Sequence, residues 1–217
     1  MFKFKIMTAF SIVASFVLIM MSNVWAVEND MPVHPQTLIE NATNKMVQAL
    51  AENKDALEQE PNLIYGLVED ILLPNFDFNK ISKLALGKKW RKADEMQKLR
   101  FVEEFRLLVI RTYSTALIEY ANNDIEFIPF KGDLKKKKVK VKMEILQSGG
   151  PSISMAVAVY LNKENEWKVY DVKIDGISLV TNYRSTFANH IRKEGMEHLI
   201  DDLANSNVAI KEAQKSE

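Results

Sequence analysis

The spacing of apolar residues changes once along this 217-residue chain, and that change constrains the fold more than any other feature. Up to about residue 121 the apolar residues recur every three or four positions, which indicates amphipathic helices. After Asn122 and Asn123 they recur every second position, which is typical of strands with one apolar and one solvated face. Helices followed by consecutive strands with short connections predict an α+β fold, in which helices cover an antiparallel sheet.

Four helices are predicted before the change of spacing. Asp77 and Asp94 are suitable N-caps, and Gln97 completes a capping box with Asp94. Gly87 is well placed to end the short third helix, and prolines bound the second. The helices are expected at residues 35–53, 61–74, 77–86 and 94–121.

The second half of the chain predicts a curved, four-stranded sheet and two closing helices. The strands are expected at residues 125–130, 138–145, 153–161 and 167–177, and Pro129 places the first at a sheet edge. On the last strand the alternation assigns Tyr170, Val172 and Ile174 to one face. The closing helices are expected at residues 179–193 and 196–204. Residues 27–205 are predicted to form a single compact domain, and residues 206–217 a polar tail.

The first 26 residues have the pattern of a secretory signal peptide. Lys3 and Lys5 precede an apolar run at residues 6–21, and Val24-Trp25-Ala26 then places small residues at the positions that a signal peptidase reads. An uncleaved membrane anchor is the alternative, since about 20 apolar residues can span a bilayer. The run is short for a span and no basic stop-transfer cluster follows it, so we predict cleavage after Ala26 and an exported product.

Composition excludes several classes of function. The chain has no cysteine, which excludes thiol catalysis, disulfides and lipid attachment through a modified cysteine. Its 29 basic residues are balanced by 29 acidic ones, which argues against nucleic acid as a partner. The one charge run, at residues 135–138, has three interpretations: a solvated loop, a contact with anionic lipid, or a patch that binds an acidic partner.

The histidines do not form a recognisable metal motif in the sequence. His190 and His198 are eight residues apart, whereas two ligands on one helix are normally three or four apart. His34 lies near the start of the predicted mature chain. We therefore interpret all three as surface histidines and predict no bound metal and no cofactor.

No catalytic set is evident either. Ser178 stands in a segment that lacks the second glycine of a nucleophile elbow, so we interpret it as a helix cap. Asp171 and Asp175 would lie about 13 Å apart along a strand, which is too far for the carboxylate pair of a glycosidase. Pairing at a strand end or turn formation is the better interpretation. The sequence predicts that the protein is not an enzyme.

A series of short motifs resembles a known family. The motifs are LGKKWR at 86–91, QKLRF at 97–101, RTY at 111–113, LIEY at 117–120, WKVYDV at 167–172, DGISLV at 175–180 and NYRSTF at 182–187. Each is weak alone, but their order and spacing resemble the MlaC family, also called toluene-tolerance or periplasmic phospholipid-binding proteins. The similarity covers nearly the whole predicted mature chain.

The resemblance implies a soluble periplasmic carrier that maintains the lipid asymmetry of the outer membrane. Such proteins move phospholipid between an outer-membrane lipoprotein–porin complex and an inner-membrane ABC transporter that has a lipid-binding MCE-type subunit. The acyl chains lie in an apolar cavity between the sheet and the helices. A phospholipid has about 30 methylenes, and removing each from water is favourable by roughly 0.8 kcal/mol. Exposing the acyl chains to water is therefore too costly for free diffusion between membranes, and a carrier is needed.

If this chain holds such a cavity, its apolar stripes supply the lining. The sheet would form the floor, with Val141, Met143, Ile145, Met155, Val157, Val159, Val172 and Ile174. The helices would form the lid, with Phe105, Leu108, Tyr113, Leu117, Tyr183 and Phe187. For each of these residues plain core packing is the alternative, because patterning does not distinguish a filled core from a lined cavity. Two other functions stay open: an exported α+β enzyme acting on an apolar small molecule, and a scaffold without a cavity.

Overall fold

A computed structural model of the chain describes residues 32–213, and the side chains of residues 32–208. The predicted signal peptide and the last four residues of the predicted polar tail lie outside these residues. Within residues 32–213, none of the helices has both the length and the apolar character needed to cross a membrane.

The described residues form seven α-helices and five strands, which confirms the predicted α+β fold. The helices are α1 (Pro35–Glu52), α2 (Lys54–Gln59), α3 (Leu63–Ile71), α4 (Phe78–Leu86), α5 (Glu95–Glu119), α6 (Leu179–Glu194) and α7 (Met196–Ala213). The strands are β1 (Ile125–Ile128), β2 (Lys138–Ile145), β3 (Ile153–Leu161), β4 (Trp167–Ile174) and β5 (Ile177–Ser178). They pair antiparallel in sequence order, with β1 and β5 at the edges.

The predicted helix caps are present. The Asp77 carboxylate accepts a hydrogen bond from the backbone N–H of Lys80 at 2.8 Å, and Gly87 follows α4 with a positive φ of 55°. Asp94 and Gln97 form the reciprocal capping box that begins α5. These bonds satisfy N–H groups that the first turn of a helix leaves without partners.

The predicted four-stranded sheet has a fifth strand. Asp175 and Gly176 both adopt positive φ, 47° and 81°, so the chain turns back on itself at this point. Ile177 then pairs with Ile174, and the last predicted strand is divided into β4 and β5. The apolar alternation ends at Ile174, and Asp175-Gly176 is a residue pair typical of hairpin turns, so the sequence itself is consistent with this division.

A bulge in β4 corrects the predicted position of Tyr170. Val159 pairs with Val169 while Ala158 pairs with Asp171, so Tyr170 is the extra residue between them. Its ring contacts that of Tyr160, which is on the opposite face from Val159. Grouping Tyr170 with the apolar residues of β4 was therefore wrong. The bulge also brings Trp167 and Val169 to the same face as Val172 and Ile174.

The last helix is longer than predicted. It runs to Ala213 instead of Ala204, so residues 206–213 of the predicted polar tail are helical. Asn207 is only 2% exposed, and its amide donates to the backbone oxygen of Glu104 at 3.0 Å and to the Glu104 carboxylate at 2.7 Å. A polar side chain thus holds this end of α7 against α5, and the sequence pattern gives no sign of it.

Three hydrophobic clusters stabilise the fold. The helical core joins α4, α5, α6 and α7, the sheet core joins the apolar face of the sheet to α1, and the N-terminal core joins α1, α2, α3 and α5. Phe76 packs against both the helical and the sheet cores, while Leu73 packs against the helical and the N-terminal cores. The short segment 73–77 therefore connects all three.

The helical core should supply a large part of the stability. Phe101 is fully buried, and its ring contacts those of Phe105 and Phe187 at centroid distances of 5.5 and 5.3 Å. We expect Phe101→Ala to lower the free energy of unfolding by about 3–5 kcal/mol in urea titrations, because it leaves a cavity among aromatic rings. Leu99→Ala, at a side chain 65% exposed on the same helix, should change it by less than about 0.5 kcal/mol. Equal losses for the two variants would contradict this assignment of the core.

Candidate functional site

The pairing register places all the predicted floor residues on one face of the sheet. Val141 lies opposite Val157, and Val157 lies opposite Val172 on the next strand. In the following row Met155 has Met143 on one side and Ile174 on the other. The result is a continuous apolar surface across three strands.

Burial along this surface is uneven. Val141, Val159 and Val169 are at most 1% exposed, in the part of the sheet covered by Ile39 of α1 and by Phe76. Towards the other end, the floor residues Ile145, Met155, Val172 and Ile174 are only half-buried. These half-buried side chains leave apolar surface of the kind that the apolar tails of a ligand bind.

The predicted lid residues do not form one surface with this floor. Phe105 and Phe187 are 1% and 2% exposed, and their rings contact each other at a centroid distance of 5.1 Å within the helical core. Leu108 and Tyr183 are half-buried against the same core, whereas Leu117 packs against the N-terminal core. Core packing therefore accounts for Phe105 and Phe187. The half-buried lid residues retain surface that a ligand could contact.

Tyr183 and Tyr113 bring polar groups to the half-buried part of the lid. The hydroxyl of Tyr183 lies near the side chains of Tyr113 and Thr112, and the Tyr183 ring stacks on Phe187. Burial, reinforced by Tyr113, raises the pKa of Tyr183 to about 12. The phenol therefore stays neutral at physiological pH and provides hydrogen bonds without a charge.

The polar residues at the end of β4 have structural roles. Asp171 accepts hydrogen bonds from the Ser178 hydroxyl at 2.7 Å and from the Val180 N–H at 3.1 Å, where α6 begins. Ser178 also caps α6, as predicted, by accepting from the N–H of Thr181 at 3.1 Å. The Asp175 carboxylate accepts from the N–H of Ser154 at 3.0 Å. These contacts match the interpretation of both aspartates as turn-forming residues.

Two surface pockets occur elsewhere among the described residues. One, of about 550 Å³, lies beside the β2 lysines and includes Phe130 and Tyr170. The other, of about 490 Å³, lies between α1, α2 and the end of α5, with Leu57 and Ile118 in its lining. Neither is lined by any of the predicted site residues.

Sequence reasoning missed two residues that cover the floor, Ile39 and Phe76. Ile39 lies on the first predicted helix, where its spacing indicates a buried position but not the contact with the sheet. Phe76 stands in a short irregular segment after Pro74, where no periodic pattern exists. Its place becomes visible only through its bridge to Val169 in β4.

Known proteins resemble this chain in sequence and in structure. The family described as "MlaC protein" matches residues 40–205. A relative named toluene tolerance protein ttg2D, from Pseudomonas putida, is 30% identical over 182 residues, which are 82% of this chain and 84% of that protein. The intermembrane phospholipid transport system binding protein MlaC of Haemophilus influenzae is 25% identical over 177 residues, 79% of this chain and 81% of its own.

A solved structure shows the same fold. It is the phospholipid-binding protein from Ralstonia solanacearum in complex with a phospholipid, and it superposes with a TM-score of 0.76 at 26% identity. The match covers 82% of this chain and 99% of that one. These findings confirm the resemblance predicted from the sequence.

The environment of Tyr183 makes stability depend on pH in the alkaline range. Its folded-state pKa of about 12 lies above that of an unfolded tyrosine, near 10, so stability is lost as pH rises between these values. We expect Tyr183→Phe to reduce the fall in unfolding free energy across this range by about 1–2 kcal/mol, after allowing for partial solvent screening. Urea unfolding at a series of pH values measures this.

Tyr120→Phe is the matched control, because it removes a hydroxyl from α5's C-terminal end and leaves Tyr113 and Tyr183 in place. This variant should show the same decrease in unfolding free energy at alkaline pH as the wild type. An unchanged fall in Tyr183→Phe would show that this hydroxyl is not held in the environment described.

Proposed function

We propose that this chain, which belongs to the MlaC family, binds a phospholipid and carries it through water from one membrane to another. The observation that supports this most directly is the apolar face of the sheet, buried at one end and only half-covered at Ile145, Met155, Val172 and Ile174. The related protein from Ralstonia solanacearum shares the fold, and its structure was solved in complex with a phospholipid.

The chemistry of this face suits a carrier. Val, Ile and Met side chains make contacts that depend on area and not on direction, so acyl chains of different length can be held. Methionine adapts further, since its unbranched side chain fills irregular gaps. The free energy of a lipid bound in this way is roughly equal to its free energy in a bilayer. Release to a membrane then needs no strong headgroup bond to be broken.

The carrier would act in the periplasm, after export by the predicted signal peptide. It would move lipid between an outer-membrane lipoprotein–porin complex and an inner-membrane ABC transporter with an MCE-type subunit. In this role the protein has no catalytic step. The assignment rests on family membership and on the engagement of Asp171, Asp175 and Ser178 in structural hydrogen bonds.

The face of the sheet opposite the proposed lipid site supplies a docking surface for such partners. Lys138, Lys140 and Lys142 are exposed on β2 and alternate with the buried residues of the floor. The exposed residues Lys135, Lys136 and Lys137 lie next to them. An acidic partner could bind this surface while the lipid stays on the other face, which favours the docking interpretation of the lysine run.

Lipid extraction tests the proposal. The protein purified from the cell envelope is extracted with organic solvent, and we expect mass spectrometry to find co-purifying phospholipid. Met155→Lys places a charge on the half-buried floor and should remove most of this lipid. Ser154→Lys, on the next residue and the exposed face, should retain it.

Both variants are first compared with the wild type by circular dichroism and thermal unfolding, so that loss of lipid is not confused with loss of fold. A protein that contains no phospholipid and acquires none from liposomes would overturn the proposal. A small apolar molecule in place of lipid would favour the alternative of an exported enzyme.

Docking is tested separately from lipid binding. Lys140→Glu/Lys142→Glu should slow lipid transfer to vesicles that contain the ABC transporter complex, and the effect should shrink at high salt. Its lipid content should stay at the wild-type level. Lys45→Glu/Lys54→Glu makes the same change of net charge on exposed residues of α1 and α2 and should transfer normally. Equal rates for the two double variants would exclude this surface as the docking site.

A further inference from the structure

The structure brings His190 and His198 together, which their spacing of eight residues does not predict. Gly195, with φ of 94°, ends α6, and α7 begins at the next residue. His190 Nε2 and His198 Nδ1 are 3.3 Å apart. The two histidines lie on two consecutive helices that pack against each other, so the ligand spacing of a single helix does not apply to them.

Each helix adds a carboxylate one turn after its histidine. Glu194 follows His190 by four residues, and Asp202 follows His198 by four, so each pair lies on one face of its helix. Glu194 Oε2 is 2.9 Å from His198 Nδ1 and 3.6 Å from His190 Nε2. Asp202 Oδ2 is 3.3 Å from both histidine nitrogens. All four donor atoms lie within 4.8 Å of one another.

These distances fit a small tetrahedral site. Ligand atoms at about 2.0–2.2 Å from a Zn²⁺ ion are separated from each other by about 3.3–3.6 Å when the geometry is tetrahedral. Five of the six separations in the cluster are between 2.9 and 3.6 Å. Two imidazoles and two carboxylates are also the donor types that Zn²⁺ accepts, and the two carboxylate charges balance the ion.

The charges around the cluster are compatible with a bound cation. The salt bridges of Glu194 and Asp202 within residues 32–208 are all with the two histidines. The nearby Arg100 is bound to Glu197 and to Asp201. No arginine or lysine of this part of the chain therefore neutralises the two carboxylates, which repel each other at this separation.

We propose that His190, Glu194, His198 and Asp202 bind one Zn²⁺ ion between α6 and α7. With four protein ligands the site is closed, which is typical of structural zinc and not of catalytic zinc. The ion would fix α7 to α6, and α6 carries Phe187 into the helical core. This site is independent of the proposed lipid site, since its ligands include none of the floor or lid residues.

Metal titration tests the site. The full chain without a polyhistidine tag is treated with a chelator, and Zn²⁺ is added in a calorimeter. We expect one ion per chain and a melting temperature that rises with the concentration of Zn²⁺. Co²⁺ at the same site should give the intense visible absorption of tetrahedral coordination. Addition of Zn²⁺ should remove that absorption.

Variants locate the ligands. His190→Ala and His198→Ala should each weaken Zn²⁺ binding by about 100-fold or more, since even outer-shell changes cost 10–100-fold. Glu194→Gln removes a negative charge with little change of shape and should also weaken it. His34→Ala is the matched control, since its imidazole caps the start of α1, and it should bind Zn²⁺ like the wild type.

The proposal is overturned if the wild type binds no Zn²⁺, or if His190→Ala/His198→Ala binds it as the wild type does. An octahedral Co²⁺ spectrum would also overturn it, because it would indicate a loosely held surface ion. Circular dichroism of each variant without metal verifies the fold. A protein that binds Zn²⁺ but contains no lipid would refute the carrier proposal and leave the metal site standing.

Discussion

The attachment of residues 73–77 to strand β4 is the contact on which the rest of the structure depends. The backbone N–H of Asp77 donates to the carbonyl of Val169 at 3.0 Å, beside the bridge between Phe76 and Val169. The Asp77 carboxylate caps α4 and also accepts a hydrogen bond from the Tyr160 hydroxyl. One residue thus binds the helices to two strands. It also covers an edge of β4 that would otherwise expose unpaired backbone groups.

This attachment lies at the most deeply buried part of the apolar face of the sheet. Phe76 enters the sheet core beside Val169, in the row of residues that is most deeply buried. Farther along this face, Ile145, Met155 and Ile174 are half-buried, whereas Met143, which pairs with Met155, is only 5% exposed. The proposed lipid site would then be the half-buried part of this face, outside the part that Phe76 covers.

The sequence predicts the features of this fold that depend on periodic or local patterns. It does not predict the features that depend on contacts between elements. The caps at Asp77, Asp94 and Ser178 and the alternation of β2 are local, and all were predicted. The bulge at Tyr170 shifts the alternation by one residue, which a regular pattern does not reveal. The approach of His190 to His198 requires a turn at Gly195 and the packing of two helices, so residue spacing within one helix does not reveal it.

A carrier must stay folded both with and without its cargo, and the division into separate cores provides this. An empty apolar cavity costs about 24 cal/mol per Å³, a large cost for a protein of marginal stability. Here the aromatic contacts of Phe101, Phe105 and Phe187 lie in the helical core, away from the floor. These contacts are made within the protein and are present without a lipid. A zinc ion between α6 and α7 would strengthen the same core, so that the face of the sheet can remain incompletely packed.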